Sequence, residues 1–332
     1  MPEGAEVAGR QGNDYRIGVS MPADEDGFFG RQCPECGLIF RMDVEDYEAL
    51  PNDLVLWCVY CGCHQEHSEF MTAQQRDRAI RAAEEFAAQF VQRSLDTAFG
   101  RLARSAPRGG PVSFSYRSRP HYPRPLPGIN EERLARVRTC ASCDVKYAVF
   151  GEHRYCPVCG SLSPATVAFD ALQAETTRLD ALDALPPETK AVLREQGVFS
   201  RSWVDTIENV VGIVEALASA LFRSAVSDAE TRLKGKGSIF QRLDDMADLF
   251  TAAGYADLRA TLSSSTWQQL TETWAIRHVF THNDGIVDQK YLSKVPNSSL
   301  RVGQRLVISD TDSRRAIADT TALCHSIVAL FP

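Results

Sequence analysis

The eighteen residues Trp274–Tyr291, WAIRHVFTHNDGIVDQKY, decide how the C-terminal half of this chain is read. Helical spacing runs as far as Thr281. Asn283, Asp284 and Gly285 then supply the residue types that a left-handed helix stop prefers. Four residues separate Arg277 from His282. His278 and His282 stand four apart, so both imidazoles share one helix face. Arginine offers a fixed, doubly donating fork to phosphate oxygens. Histidine, with an ordinary pKa of about 6.5, gives or takes a proton near neutrality. Together these groups suit the handling of phosphate.

Working outward, the same helical period recurs on both sides. Val204, Ile207, Val211, Val214, Leu217 and Leu221 predict a first helix from Trp203 to about Leu233, ended by Lys234-Gly-Lys-Gly237. A second is expected over Ile239–Ala253, stopped by Gly254, and a short third around Leu258. Thr266–Thr281 forms the motif helix, with Trp267, Leu270, Trp274 and Ile276 inward. Leu300–Val302 and Leu306–Ile308, turning at Gly303-Gln304, read as a small β-hairpin. A last helix, Ser313–Leu330, buries Ile317, Thr321, Cys324 and Ile327.

Arg277, His278 and His282, set at a helix end within an all-helical region, resemble the Arg-x4–6-His motif of the HEPN superfamily. These are small helical bundles, many of them metal-independent ribonucleases. The resemblance covers roughly residues 197–331. It implies a homodimer in which two motifs face one another. His282 of each protomer would move protons, Arg277 would stabilise a pentacoordinate phosphate, and His278 would orient a partner or contact phosphate. The nucleophile would be the RNA 2′-hydroxyl. Glu208 and Asn209, polar residues within an apolar run, are candidate supporting groups. Two other readings stand beside it. The His278–His282 pair is also a metal half-site, although Val279 stands where the zinc-protease form carries glutamate. Alternatively the groups satisfy one another at a helix end, Arg277 against Asp284 and His282 on the last carbonyls.

The first half of the chain is organised by cysteine. Cys33, Cys36, Cys58 and Cys61 form two Cys-x-x-Cys turns with 21 residues between them. Cys140, Cys143, Cys156 and Cys159 form two more, 12 residues apart. Four thiolates from two such turns close a tetrahedral zinc site, so each set predicts a structural zinc ribbon. Leu38–Phe40 and Leu54–Trp57 read as strands of the first ribbon, and Tyr147–Gly151 as a hairpin in the second. Neither ribbon leaves a ligand position open for catalysis. Cys63, His64 and His67 read as surface residues.

Between the ribbons, Ile80, Ala83, Phe86, Ala87, Phe90, Leu95, Phe99 and Leu102 mark a long amphipathic helix from Thr72 to about Ala103. It is expected to pack on a ribbon or on the C-terminal bundle, with self-association as the alternative. Residues 105–128 hold six prolines and three glycines and form an extended linker. There Arg117, Arg119, Tyr122 and Arg124 interleave arginine with aromatics. That is a pattern suited to pairing phosphates and stacking bases of single-stranded RNA.

The net charge of −7 argues against a nucleic-acid coat protein. From Arg101 to Arg138, nine arginines against Glu131 and Glu132 give +7, so the rest of the chain sums to −14. No run of about 18 apolar residues occurs, and the N-terminus lacks an apolar core segment. A cytoplasmic protein without a membrane partner is therefore expected. The composite expectation is a mainly α fold: a polar tail (1–30), zinc ribbon 1 (31–69), the long helix (70–104), the Pro/Arg-rich linker (105–130), zinc ribbon 2 (131–165), a helical connector (166–196) and a HEPN-like bundle with a β-hairpin insertion (197–332). The implied function is a homodimeric endoribonuclease whose ribbons bind RNA or a protein partner, in a toxin or anti-viral role. The alternative is a non-catalytic binding module dimerised by its helical domain.

Overall fold

The computed structural model describes residues 1–12, 14–51, 53–105, 116–117, 122–130 and 136–331. The chain divides into two compact units, Met1–Ser161 and Leu162–Pro332.

The first unit opens with an antiparallel hairpin of β1 (Ala5–Gln11) and β2 (Asp14–Val19), where a polar tail is expected from the sequence. Its pattern is obscured by a bulge between Val7 and Gly9 and by its cover, a distant helix. Tyr15 packs on Phe86 and Phe90 at ring distances of 5.0 and 5.6 Å. β3 (Phe28–Gln32) and β4 (Ile39–Asp43) flank the first cysteine turn. A one-turn helix, α1 (Val44–Glu48), is capped by Asp43. β5 (Val55–Trp57) and β6 (His64–Glu66) flank the second turn. Then comes α2 (Ala73–Ser105), 33 residues and about 50 Å long.

Thr72 and Gln75 start α2 by bonding each other's backbone N–H groups at 3.3 Å. The buried Gln75 amide also donates to Gly30 O at 2.7 Å, fixing the helix start to β3. Farther on the packing thins: Ile80, Phe90, Val91, Leu95, Phe99 and Leu102 are exposed. Of the linker, Arg124 returns to buried Glu85 at 2.5 Å and Tyr116 packs at a tilt against Phe99, ring centres 5.4 Å apart.

β7 (Arg136–Thr139) and β8 (Lys146–Val149) flank the third cysteine turn. They join the first ribbon in one four-stranded antiparallel sheet, β3-β4-β8-β7, with Arg41 opposite Ala148 and Met42 opposite Tyr147.

The second unit is a helical bundle: α3 (Pro164–Asp183), α4 (Pro187–Glu195), α5 (Val198–Ala225), α6 (Ala229–Leu233), α7 (Leu243–Ala252), α8 (Leu258–Thr261), α9 (Ser264–Asn283), α10 (Gln289–Lys294) and α11 (Asp310–Leu330). α5 runs through its centre and buries Ile207, Val210, Val214, Leu217 and Phe222. The predicted first helix is thus two, broken where Val226 turns to extended backbone. α3, expected as a connector, contributes Ala168, Leu172 and Leu179 to the same core. Helix starts follow their caps: Ser163, Ser263 and Ser309 each accept a backbone N–H three residues on.

The hairpin expected at 300–308 does not form. Gln304 and Leu306 instead pair with the segment after α9, through Val287 N–H to Gln304 O (2.9 Å) and Leu306 N–H to Gly285 O (2.8 Å). Leu306 and Ile308 are buried, whereas Val302 and Val307 are exposed. Burying the two inward residues against the bundle therefore decides the partner strand.

Candidate functional site

Two kinds of site can be built. The first is the pair of cysteine clusters. Each set of four sulfurs lies within 4.8 Å of one another. The close pairs are Cys33–Cys61 (3.6 Å), Cys36–Cys58 (3.7 Å), Cys140–Cys159 (3.6 Å) and Cys143–Cys156 (3.6 Å). A tetrahedron with Zn–S bonds of about 2.3 Å has edges of about 3.8 Å, so both clusters fit a four-thiolate metal site of ribbon type.

Backbone N–H groups are aimed at the sulfurs: Cys36 at Cys33 (3.4 Å), Ser142 at Cys140 (3.4 Å) and Val158 at Cys156 (3.5 Å). Burial pushes the Cys58 and Cys156 thiols up. It acts on Cys140 in the same direction, but hydrogen bonds from the Ser142 and Cys143 N–H groups and from the Cys156 and Cys143 thiols together outweigh it and bring that thiol down to about 7. Cys63 stays outside the cluster. Among the described residues these are the only two groups of three or more metal-ligating side chains.

The two ribbons are related by an approximate twofold exchange. The Trp57 N–H bonds Pro157 O (2.8 Å), and the Tyr155 N–H bonds Val59 O (3.1 Å). Trp57 lies over Gly160, the glycine after Cys159; Tyr155 lies over Gly62, the glycine after Cys61. A methyl group at Gly160 would stand 2.6 Å from Trp57, and one at Gly62 2.7 Å from Tyr155. Each cysteine turn therefore seats an aromatic side chain of the other ribbon. His64 completes the stack at 4.4 Å from Trp57.

The second site is the C-terminal end of α9. Asp284 (φ 50°) and Gly285 (φ 78°) reverse the chain in left-handed conformation, as the sequence implies. A side chain at Gly285 would meet the Phe280 ring at 2.9 Å. His278 and His282 are neighbours with ring centres 4.8 Å apart. At about 100° per residue, Arg277 and His282 stand about 140° apart around the helix.

Arg277 reaches Gln241 Oε1 at 3.4 Å, and Gln241 in turn donates to Glu215 at 2.7 Å. Asp284 is matched to Arg305 at 4.0 Å, not to Arg277. The Arg277–Asp284 pair weighed from the sequence is therefore not formed among the described residues. Glu208 accepts from Thr281 (3.1 Å) at the motif helix, whereas Asn209 points to Glu175 (2.7 Å). His282 is exposed, and Arg277 and His278 are half-buried.

Lys290 on α10 donates to His278 Nε2 at 3.3 Å, because an ammonium has only donors. In that contact Nε2 is the acceptor, which corresponds to the neutral ring with its proton on Nδ1. Burial holds its pKa below the ordinary value, and the Lys290 ammonium adds to this. Lys290, Gln241 and Glu215 are not evident as site residues from sequence. Only the fold-back of α10, started by the Asp288 cap, brings Lys290 to His278.

Of the arginines and tyrosine expected to bind RNA, Arg117 and Tyr122 are exposed. Arg124 is engaged by Glu85 and Glu84. Arg119 lies outside the described residues. No helix among the described residues is long and apolar enough to cross a membrane. No protein-family model, curated protein or solved structure matches the chain.

Proposed function

We propose that the C-terminal unit is a metal-independent endoribonuclease domain of HEPN type that works as a homodimer. The two cysteine clusters hold structural zinc, and the ribbon unit guides RNA or a protein partner. The observation that carries this reading is the end of α9. There a guanidinium with no carboxylate within ion-pair distance among the described residues, a neutral imidazole and an exposed imidazole stand within two helical turns.

In this reaction the RNA 2′-hydroxyl attacks the adjacent phosphorus and the bond to the 5′-oxygen breaks. The products are a 2′,3′-cyclic phosphate and a 5′-hydroxyl. One His282 takes the proton of the attacking hydroxyl and the partner protomer's copy returns one to the leaving oxygen. Arg277 stabilises the doubly charged phosphorane. His278, held neutral by Lys290, hydrogen-bonds phosphate rather than acting as the acid. A second copy supplies the acid because one exposed histidine cannot conveniently be base and acid at once within a turnover. Exposed Ile286, Val302 and Val307, near the reversal after α9, offer apolar surface for that contact. Zinc, where bound, is structural: four thiolates leave it no open position.

The test is RNA cleavage by the zinc-replete chain with excess chelator added at mixing, comparing the parent protein with His282→Ala. Cleavage that survives chelation, leaves cyclic phosphate and disappears in the variant supports the reading. Absence of cleavage across several RNAs replaces it with the binding-module alternative. Equal cleavage by both proteins refutes the assignment of His282.

A further inference from the structure

Beside His278 lies a cavity of about 200 Å³ between the 3-10 turn at Ile239–Gln241, the start of α7, α9 and α10. Drug-sized ligands occupy clefts of about 300–1,000 Å³, so this one suits a single ring system with a small polar group. Leu243, Trp274, Ala275 and Tyr291 give it apolar and aromatic walls.

Its charges are unevenly settled. Asp244 is matched by Lys294 at 3.0 Å and Asp245 by Arg242. Lys290 faces no carboxylate within ion-pair distance among the described residues; its contact is the neutral His278. One cation is therefore left over at the mouth, and it abuts the proposed cleavage site. The Trp274 Nε1–H, on a residue of the same lining, is buried without an acceptor. Gln241 lines the cavity and also meets Arg277, so cavity and guanidinium share a residue.

We propose that this cavity receives one nucleotide of the RNA substrate, its base against Trp274, Leu243 and Tyr291 and its phosphate on Lys290 and His278. The assignment rests on the ribonuclease reading and adds to it that cleavage is selected by the base seated here. The physical logic is that aromatic walls accept any base by stacking, whereas a small volume and a fixed donor discriminate among bases. A free nucleotide offers the same chemistry, so the source has to be separated by experiment.

The experiment is calorimetric titration of the full chain with the four nucleoside 3′-monophosphates, inorganic phosphate, the nucleosides, and four homopolymeric single-stranded oligoribonucleotides. All are run in His282→Ala, which abolishes turnover and leaves the cavity intact. Expected is one nucleotide bound at least tenfold tighter than inorganic phosphate, displaced by the oligonucleotide of the same base. Lys290→Gln, on an exposed side chain, should weaken nucleotide binding about tenfold, the loss of one charge-assisted hydrogen bond. The nucleoside should be unaffected. Equal affinity for phosphate and all four nucleotides, or no effect of Lys290→Gln, overturns the proposal. Binding of free nucleotide that no oligonucleotide displaces overturns its assignment to RNA. Selective binding by the variant, together with no RNA cleavage by the parent chain, removes the nuclease reading and keeps the nucleotide site, so the two failures are distinct.

Discussion

Replacing Gly160 by alanine should destabilise the N-terminal unit by about 2–5 kcal/mol, a large effect for a single methyl group. Two contributions add. Gly160 has φ +69°, and a left-handed alanine costs about 1–2 kcal/mol. The new Cβ would also stand 2.6 Å from Trp57 Cε2 and 2.8 Å from Cδ2. The indole cannot simply swing aside, since His64 stacks on it at 4.4 Å. Overpacking of this kind costs about 1–3 kcal/mol. Gly151→Ala is the control: its φ is +58° but nothing lies within 4 Å, so only the backbone cost of about 1–2 kcal/mol applies. Trp57→Ala vacates the space, so adding Gly160→Ala to that variant should again cost only the backbone share. The coupling between the two sites is then about 1–3 kcal/mol. Urea unfolding of the metal-replete proteins measures all four corners of the cycle, with metal release to a chromophoric chelator as a second readout. If Gly160→Ala costs no more than Gly151→Ala, or the cycle shows no coupling, the interlocked ribbons are refuted.

Prolonged chelation should melt the sheet of the N-terminal unit and leave the C-terminal bundle folded, because the bundle buries its own apolar core. Amide exchange resolved by segment is the check; loss of protection in α5 and α9 alongside β4 and β8 would contradict it. Lys290→Gln should raise the pKa of His278, since the facing ammonium is the largest charged contribution holding it down, second to burial. As that folded value lies below the unfolded value of about 6.5, the unfolded chain binds more protons there. Stability from this group is accordingly lost as pH falls through the window below 6.5, and the variant should lose less of it. Imidazole NMR titration follows the midpoint, and one that stays put or drops removes Lys290 from the account.

What the sequence by itself determined is chemistry of short range. Two Cys-x-x-Cys turns per site specify a tetrahedral thiolate cluster whatever surrounds them, and all eight ligands nominated on spacing gather as expected. Helix ends are as local: Ser263 starts α9, and Asp284 with Gly285 stops it, because the groups satisfied there lie within a few residues. The helical period of α5 and α11 marked a core for the same reason.

What only the tertiary structure decided depends on partners far along the chain. β4 meets β8 about a hundred residues on, and each ribbon's aromatic finds a glycine in the other ribbon's turn. The first thirty residues gain a hairpin through Tyr15 on α2. Leu306 chose Gly285 over the local turn because its side chain was buried in doing so. Lys290, twelve residues from His278, becomes its neighbour only when α10 folds back. Spacing reveals what neighbouring residues can do for one another; burial and strand pairing select among distant partners, and those choices carry no local mark.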